Sequence, residues 1–295
     1  MRSRHTLKAR SCRIALGGKT AIMGILNVTP DSFSDGGLFN DTESAVQHAL
    51  DLIEAGAAII DIGGESTRPG SEPVDAAVEC ERIVPVIKAL KDRDVCLSAD
   101  TWKSEVAAAA LDAGAHMVND ITALLGDPDM PAVIRSYDAA VCLMHNAVLY
   151  RSDAPGHFPA FGLNRPQVLT ALAPLDIIAA VERYFDLALQ TAKKAGISAD
   201  HIVLDPGFGF GVTDLENKKL FNHLPALTIR PYPWLVALSR KRFVQHLAGS
   251  DLPVDEVTAW LGQSAAFAGA HILRVHDVRC QKRCTDVADA VMEAH

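Results

Sequence analysis

Eight short apolar runs in this chain each lead into polar or charged residues. The runs are 21–26, 59–62, 95–99, 117–119, 140–144, 202–204, 234–238 and 272–275. At or just beyond their ends stand Asn27, Glu65-Ser66-Thr67-Arg68-Pro69-Gly70, Asp100, Asn119 with Asp120, His145 with Asn146, Asp205, Ser239-Arg240-Lys241, and Arg274 with His276. The set divides by chemistry. Arg68, Lys241, Arg274 and His276 are donors suited to phosphate or diphosphate, and the arginines offer bidentate geometry. Asp100, Asn119 and Asp205 are compact acceptors, as needed to read neighbouring N–H groups on a flat heterocycle. Paired, they imply a small molecule with a polar ring at one end and phosphate at the other. Metal fits the same scheme: Asn27 beside a diphosphate completes an octahedral Mg²⁺ shell made mostly of water and phosphate oxygens.

Residues so far apart in sequence need a scaffold that gathers strand ends onto one rim. Aliphatic runs of this length read as buried parallel strands. Between them lie amphipathic stretches at 44–55, 76–90, 104–113, 177–195, 254–268 and 286–294. Three strands are preceded by Ala55-Gly56-Ala57, Ala113-Gly114-Ala115 and Ala195-Gly196-Ile197, in which the glycine closes a helix before the chain returns to the sheet. Eight strand–helix units in 295 residues predict α/β architecture, a single (β/α)₈ barrel spanning 21–295. A doubly wound open sheet uses the same alternation, and only the count of eight favours the barrel. In either fold, ligands sit at the carboxyl ends of the strands.

Composition narrows the classes of partner. Apolar residues make up 49% of the chain and aromatic ones 6%, which suits aliphatic strands covered by helices. A net charge of −8 argues against a general nucleic-acid surface, although local arginines still serve an anionic ligand. No apolar run reaches membrane-spanning length. The six cysteines lack zinc-site spacing, and Cys96 and Cys142, inside apolar runs, read as buried inert thiols. Residues 1–20 carry Arg2, Arg4, Lys8, Arg10, Arg13 and Lys19 with no acid. That pattern raises a transit peptide, but the segment has no secretory apolar region and leads straight into the first strand. It reads better as a short lead-in of a cytoplasmic protein, a hairpin plugging the barrel's base. Residues 146–176 break the rhythm and read as a mobile or partly ordered excursion on the ligand face.

The first rim loop carries the most specific string, Gly24-Ile25-Leu26-Asn27-Val28-Thr29-Pro30-Asp31-Ser32-Phe33-Ser34-Asp35-Gly36-Gly37. It resembles the opening signature of dihydropteroate synthases. Gly64-Glu65-Ser66-Thr67-Arg68-Pro69-Gly70, Val118-Asn119-Asp120-Ile121, Leu204-Asp205-Pro206-Gly207-Phe208-Gly209-Phe210-Gly211, Ser239-Arg240-Lys241 and Arg274-Val275-His276-Asp277-Val278 resemble later signatures in the same order. The resemblance covers the chain from Ala21 onward and implies a (β/α)₈ barrel. It also implies condensation of 7,8-dihydropterin-6-ylmethyl diphosphate with 4-aminobenzoate to dihydropteroate, the sulfonamide-sensitive step of folate biosynthesis. Carried over, Asp100, Asn119, Asp205 and Lys241 hold the pterin. Asn27, Arg68, Arg274 and His276 hold the diphosphate, with Mg²⁺ on Asn27. Phe33, Thr67, Pro69, Phe210 and Ser239 border the aminobenzoate. Asp100, Lys241, Arg274 and His276 carry the catalysis, and a homodimer forms through the last helices.

Several positions keep a plainer reading. Asp205 before Pro206-Gly207 is also what a turn requires, and Lys241 what a solvated helix start allows. Asn119 and Asp120 point oppositely along a strand, so Asn119 is the ligand candidate and Asp120 the structural one. His145 suits a structural role as well as a ligand contact, and Glu65 suits support of the loop better than proton transfer. Three positions depart from the family pattern. Val212 stands where a basic residue is common, Ala237 where a glycine is, and Arg242 where a serine is. Two other functions fit parts of the pattern: a non-catalytic pterin-binding paralogue, and a pterin-dependent methyltransferase domain of related architecture.

Overall fold

All eight apolar runs are strands, and they close into a ring. The computed structural model describes residues 2–29, 37–67, 70–155 and 167–293. An antiparallel hairpin, β1 (His5–Ala9) and β2 (Cys12–Leu16), comes first. Eight parallel strands follow: β3 (Ala21–Asn27), β4 (Ile59–Gly63), β5 (Cys96–Asp100), β6 (Met117–Asp120), β7 (Ala140–Met144), β8 (Ile202–Asp205), β9 (Leu235–Ala237) and β10 (Ile272–Val275). Their order is β8-β7-β6-β5-β4-β3-β10-β9. A parallel bridge between Leu204 and Trp234 joins the two edges, with the Leu204 N–H donating to Pro233 O at 3.0 Å. The sheet is therefore the closed barrel expected from eight repeats.

The helices are α1 (Gly37–Glu54), α2 (Ala76–Leu90), α3 (Ser104–Ala113), α4 (Met130–Tyr137), α5 (Gln167–Thr170), α6 (Ile177–Lys194), α7 (Asp214–Leu227), α8 (Arg242–Ala248), α9 (Val254–Phe267) and α10 (Val278–Met292). The expected stretches 76–90 and 104–113 coincide with α2 and α3. Gly114, at φ 121°, ends α3 by donating back to Ala110 O and Leu111 O, the closure its position predicts. The last helix starts earlier than its apolar period suggests, because the Asp277 carboxylate accepts from the Cys280 N–H at 2.8 Å and caps it. Helix α7 has a weak apolar face and was not expected. Its signal lay in the Thr213/Glu216 capping box, in which each side chain meets the other residue's backbone N–H.

Strand residues alternate between two packing environments. Ile22, Ile60, Leu97, Val118, Val141, Leu204, Val236 and Leu273 pack outward with the helices. Met23, Ile59, Cys96, Met117, Cys142, Val203, Leu235 and Ile272 fill the lumen, together with Leu7, Ala9 and Leu16 of the hairpin. The hairpin thus plugs the base, and the barrel is filled there like a protein core. Several of the basic residues in the lead-in have fold contacts: Arg2 pairs with buried Asp289, Lys8 with Asp200 at 2.5 Å, and Arg10 donates to Leu111 O and Ala115 O at 2.5 and 2.7 Å. Cys96 and Cys142 are buried, and the cysteines are unpaired.

Of the excursion after β7, residues 146–155 and 167–176 are among those described, and they carry fold contacts; 156–166 lie outside the described residues. Asn146 caps a short turn over Ala147–Leu149 through the Val148 N–H at 3.1 Å. Arg151 pairs with Glu216 at 2.8 Å, and Leu169 and Leu172 are buried. No helix among the described residues is long and apolar enough to cross a membrane.

Candidate active site

The alternation that places apolar side chains in the lower lumen places polar ones above them. Two residues beyond Ile59 on its strand comes Asp61; likewise Ser98 and Asp100 follow Cys96, Asn119 follows Met117, Asp205 follows Val203, and Arg274 and His276 follow Ile272. One polar layer therefore crowns one apolar layer. Asn27, Thr67, Asp100 and Phe210 line a single cavity of about 1210 Å³ at this end, and so do Ser239, Lys241, Arg274 and His276. Asn119 and Asp205, only 4% and 2% exposed, do not line the cavity but lie beneath it, Asn119 tied to Arg274 through Asp61 and Asp205 interacting with the charge of Lys241. Phe33, Arg68 and Pro69, also expected at the site, lie outside the described residues.

A residue that sequence reasoning missed organises the floor. Asp61 is fully buried, and its Oδ2 accepts from Arg274 Nε at 2.6 Å and from Asn119 Nδ2 at 2.9 Å. The other end of the same guanidinium, Nη2, reaches Asp100 Oδ2 at 2.5 Å. Arg274 thus bridges two carboxylates from neighbouring strands, the fork geometry for which guanidinium is suited. Asp61 sits inside the apolar run Ile59-Ile60-Asp61-Ile62, and a lone charge there was itself the signal. Asp61 Oδ1 and Asn119 Oδ1 are buried and meet no donor among the described residues. A heterocycle presenting N–H groups at this depth would satisfy both.

Electrostatics follow from burial and charge count. Burial raises the Asp100 carboxyl to about 7, with Arg274 pulling the other way and Asp61 reinforcing the rise. Burial likewise raises Asp205 against the opposing charge of Lys241, and lowers the Lys241 ammonium to about 8. Three carboxyl groups (Asp61, Asp100, Asp205) face two cations (Arg274, Lys241), so above about pH 7, where Asp100 is ionised, the floor favours an added positive charge.

The turn after β9 shows why neighbouring cations differ in role. Arg240 adopts φ 57° and turns outward, where Nε and Nη2 bind Asp255 at 2.9 and 2.8 Å. Lys241 is thereby turned inward, donating to Phe208 O with its ammonium 5.0 Å from the Phe210 ring centroid. Ser239 Oγ lies 2.8 Å from His276 Nδ1, and so fixes the imidazole at the rim. Gly207 makes the return after Asp205: its N–H donates to Asp205 Oδ1 at 2.8 Å, at φ 73°. A Cβ there would stand 1.8 Å from His145 O, so only glycine fits.

The plainer readings hold for three residues. Asp120 accepts from Thr122 N, Thr122 Oγ1 and Leu124 N at 2.7–2.8 Å, holding a tight turn away from the cavity. Both ring nitrogens of buried His145 are engaged, with Pro206 O and the Tyr150 hydroxyl, and burial lowers its pKa to about 3. Glu65 is committed to Val74 N, Trp102 Nε1 and Lys103 Nζ. Val212, Ala237 and Arg242 all line the cavity, the first two buried and Arg242 exposed.

A closed (β/α)₈ barrel whose strand ends join anion donors to a buried acceptor set defines an enzyme for a phosphorylated heterocycle. Residues 23–276 match the family described as pterin binding enzyme. A dihydropteroate synthase of Streptococcus pyogenes is 41% identical over 286 residues, covering 95% of this chain and 98% of the relative. The structure of the Xanthomonas albilineans dihydropteroate synthase with 4-aminobenzoic acid has a TM-score of 0.85 and 38% identity, covering 98% of this chain and 99% of that one. The same enzyme in complex with 7,8-dihydropteroate gives a TM-score of 0.78 at 38% identity, covering 93% and 94%. The chain belongs to the dihydropteroate synthase family, transferases of folate biosynthesis.

Proposed function

We propose that the cavity takes 7,8-dihydropterin-6-ylmethyl diphosphate ring-first and joins it to 4-aminobenzoate. The C–O bond to diphosphate breaks, a C–N bond to the arylamine forms, and the amine gives up a proton. The observation that carries this reading is the buried Asp61–Arg274–Asp100 bridge with Asn119 beside it. It offers a flat, acceptor-rich floor directly beneath an anion-binding rim.

In this scheme Asp100, Asn119, Asp205 and Lys241 hold the pterin edge, and Asp61 holds Asn119 and Arg274 in place. Asn27, His276 and the cavity side of Arg274 receive the diphosphate, joined by Arg68. The surplus carboxylate of the floor favours positive charge developing on the pterin as diphosphate leaves. The arylamine is a competent nucleophile, so no activated serine or cysteine is required. Thr67, Phe210 and Ser239 border the second substrate, and keeping water out of this part of the cavity protects the electrophile from capture.

Mg²⁺ fits the donor set as a substrate-borne ion. Among the described residues there is no group of three or more His, Cys, Asp or Glu able to cage a metal. Asn27 lines the cavity, and an amide oxygen as single protein ligand suits an ion otherwise held by phosphate and water. When bound there, Mg²⁺ neutralises charge on the departing diphosphate. We read the molecule as a cytoplasmic homodimer through α9 and α10, which together expose Trp260, Phe267, Val287 and Val291.

Asp100 supplies a test in pH. Its carboxyl is raised to about 7 by burial, so acidification below that value protonates it and removes an acceptor for the pterin edge. Affinity for the pterin diphosphate is expected to rise with pH, by up to about tenfold per unit, until it levels off near 7, and to fall again above about 8 as the Lys241 ammonium loses its proton. Titration calorimetry across pH 5.5–8.5, roughly spanning both values, measures it. Asp100→Asn should flatten the rise; an identical slope in the variant would remove Asp100 from the pterin site.

A further inference from the structure

The described parts of the loop joining β4 to α2, residues 64–67 and 70–74, bring Ser66 and Thr67 to the cavity. Both feet of this loop are tied to one charge cluster behind it. At the first foot, Arg82 donates to Gly64 O at 2.7 Å, and Glu65 Oε2 accepts from Trp102 Nε1 at 2.9 Å. At the second, the Val74 N–H donates to Glu65 Oε1 at 2.8 Å, while Val74 O accepts from Lys103 Nζ at 2.5 Å. The same ammonium lies 3.1 Å from Glu65 Oε1 and 2.7 Å from Glu79 Oε2. A lysine has three donors, and here each meets an acceptor.

The cluster is rigid by construction. Glu79 on α2 is fully buried, and Lys103, immediately before α3, has a side-chain exposure of only 13%. The loop backbone is pressed against α2, since a Cβ on Gly64 would come within 2.9 Å of Ile83 and 3.0 Å of Glu79. Burial raises the Glu79 carboxyl, which shows how much that group depends on its single cation. Glu65 and Lys103 thereby link the loop's two feet to each other and to two helices.

We propose that Lys103 is a positioning residue for the second substrate: by closing both feet of the 64–74 loop on one ammonium, it fixes where Thr67 stands in the cavity. The proposal rests on the reading that Thr67 borders the aminobenzoate. Lys103 touches neither substrate, and its effect falls on one substrate only. The pterin floor is built from β4, β5, β6, β8 and β10 with Lys241 after β9, and none of its side chains comes from this loop.

Steady-state kinetics with both substrates test it, alongside calorimetric binding of the pterin diphosphate alone. Lys103→Met should raise KM for 4-aminobenzoate by about tenfold or more, the scale expected of a misplaced binding wall. Pterin diphosphate affinity should stay within about twofold. Lys103→Arg, which keeps charge and donors, should return most of the loss. Because Lys103→Met leaves buried carboxylates unpaired, Lys103→Met/Glu79→Gln removes the charge imbalance while still deleting the tie. Should neither variant fold, Trp102→Phe deletes a neutral tie to Glu65 and should raise the same KM by about threefold, the effect of one lost hydrogen bond. An unchanged aminobenzoate KM in a folded variant, or equal weakening of both substrates, overturns the proposal. A wild-type protein without turnover would instead defeat the reading of the reaction itself, so the two failures are distinct.

Discussion

Arg274→Ala is expected to abolish turnover and to lower folding stability by about 3–5 kcal/mol, the cost of breaking a buried ion pair from one side. Arg274 Nε and Nη2 lie 2.6 and 2.5 Å from Asp61 and Asp100, and Asp61 is fully buried. Removing the guanidinium leaves two carboxylates facing each other across the floor, and releases Asn119 from its orientation by Asp61. Both halves of the first substrate should therefore bind less well. Arg274→Lys should rescue little, because one ammonium cannot bridge two strands as a planar fork does. Urea unfolding and calorimetry report the two losses. A variant of wild-type stability would show that Arg274 is not what neutralises Asp61.

Asp205→Asn should have the second largest effect, and a more selective one. The Asp205 carboxylate is 2% exposed, takes the Gly207 N–H at 2.8 Å, and balances Lys241. The amide keeps the shape and removes the charge. A hydrogen bond to a charged group contributes about 1.5–3 kcal/mol, so pterin affinity should fall by roughly 10- to 150-fold. Free diphosphate, held by the rim, should bind nearly as before. Equal losses for pterin and diphosphate would contradict the division of the cavity into floor and rim.

The parts legible in the sequence were those in which one residue changes the character of a run. Asn27, Asp100, Asn119 and Asp205 each end an apolar stretch, and the closed sheet sets all four at one end. Asp61 was not legible in that way because it lies within its run, with Ile60 and Ile62 on either side. Only closure of the barrel reveals that its face is the lumen. Arg274 was read as an anion donor, and two of its donors prove to serve carboxylates. That pairing is a long-range contact across the ring, which no local spacing encodes. The Lys103 cluster was hidden for the same reason, since its members come from the ends of three separate segments. Helices α4, α7 and α8 went unread because short or weakly amphipathic segments give little period, and their stability comes from packing on the barrel.

The most direct measurement mixes the purified protein with 7,8-dihydropterin-6-ylmethyl diphosphate, 4-aminobenzoate and Mg²⁺, and follows dihydropteroate and released diphosphate together. Stoichiometric formation of both, abolished when Mg²⁺ is chelated, is the predicted result. Pterin diphosphate binding without turnover would contradict it, and would leave a pterin-binding protein that has kept the floor of the site but not its reaction.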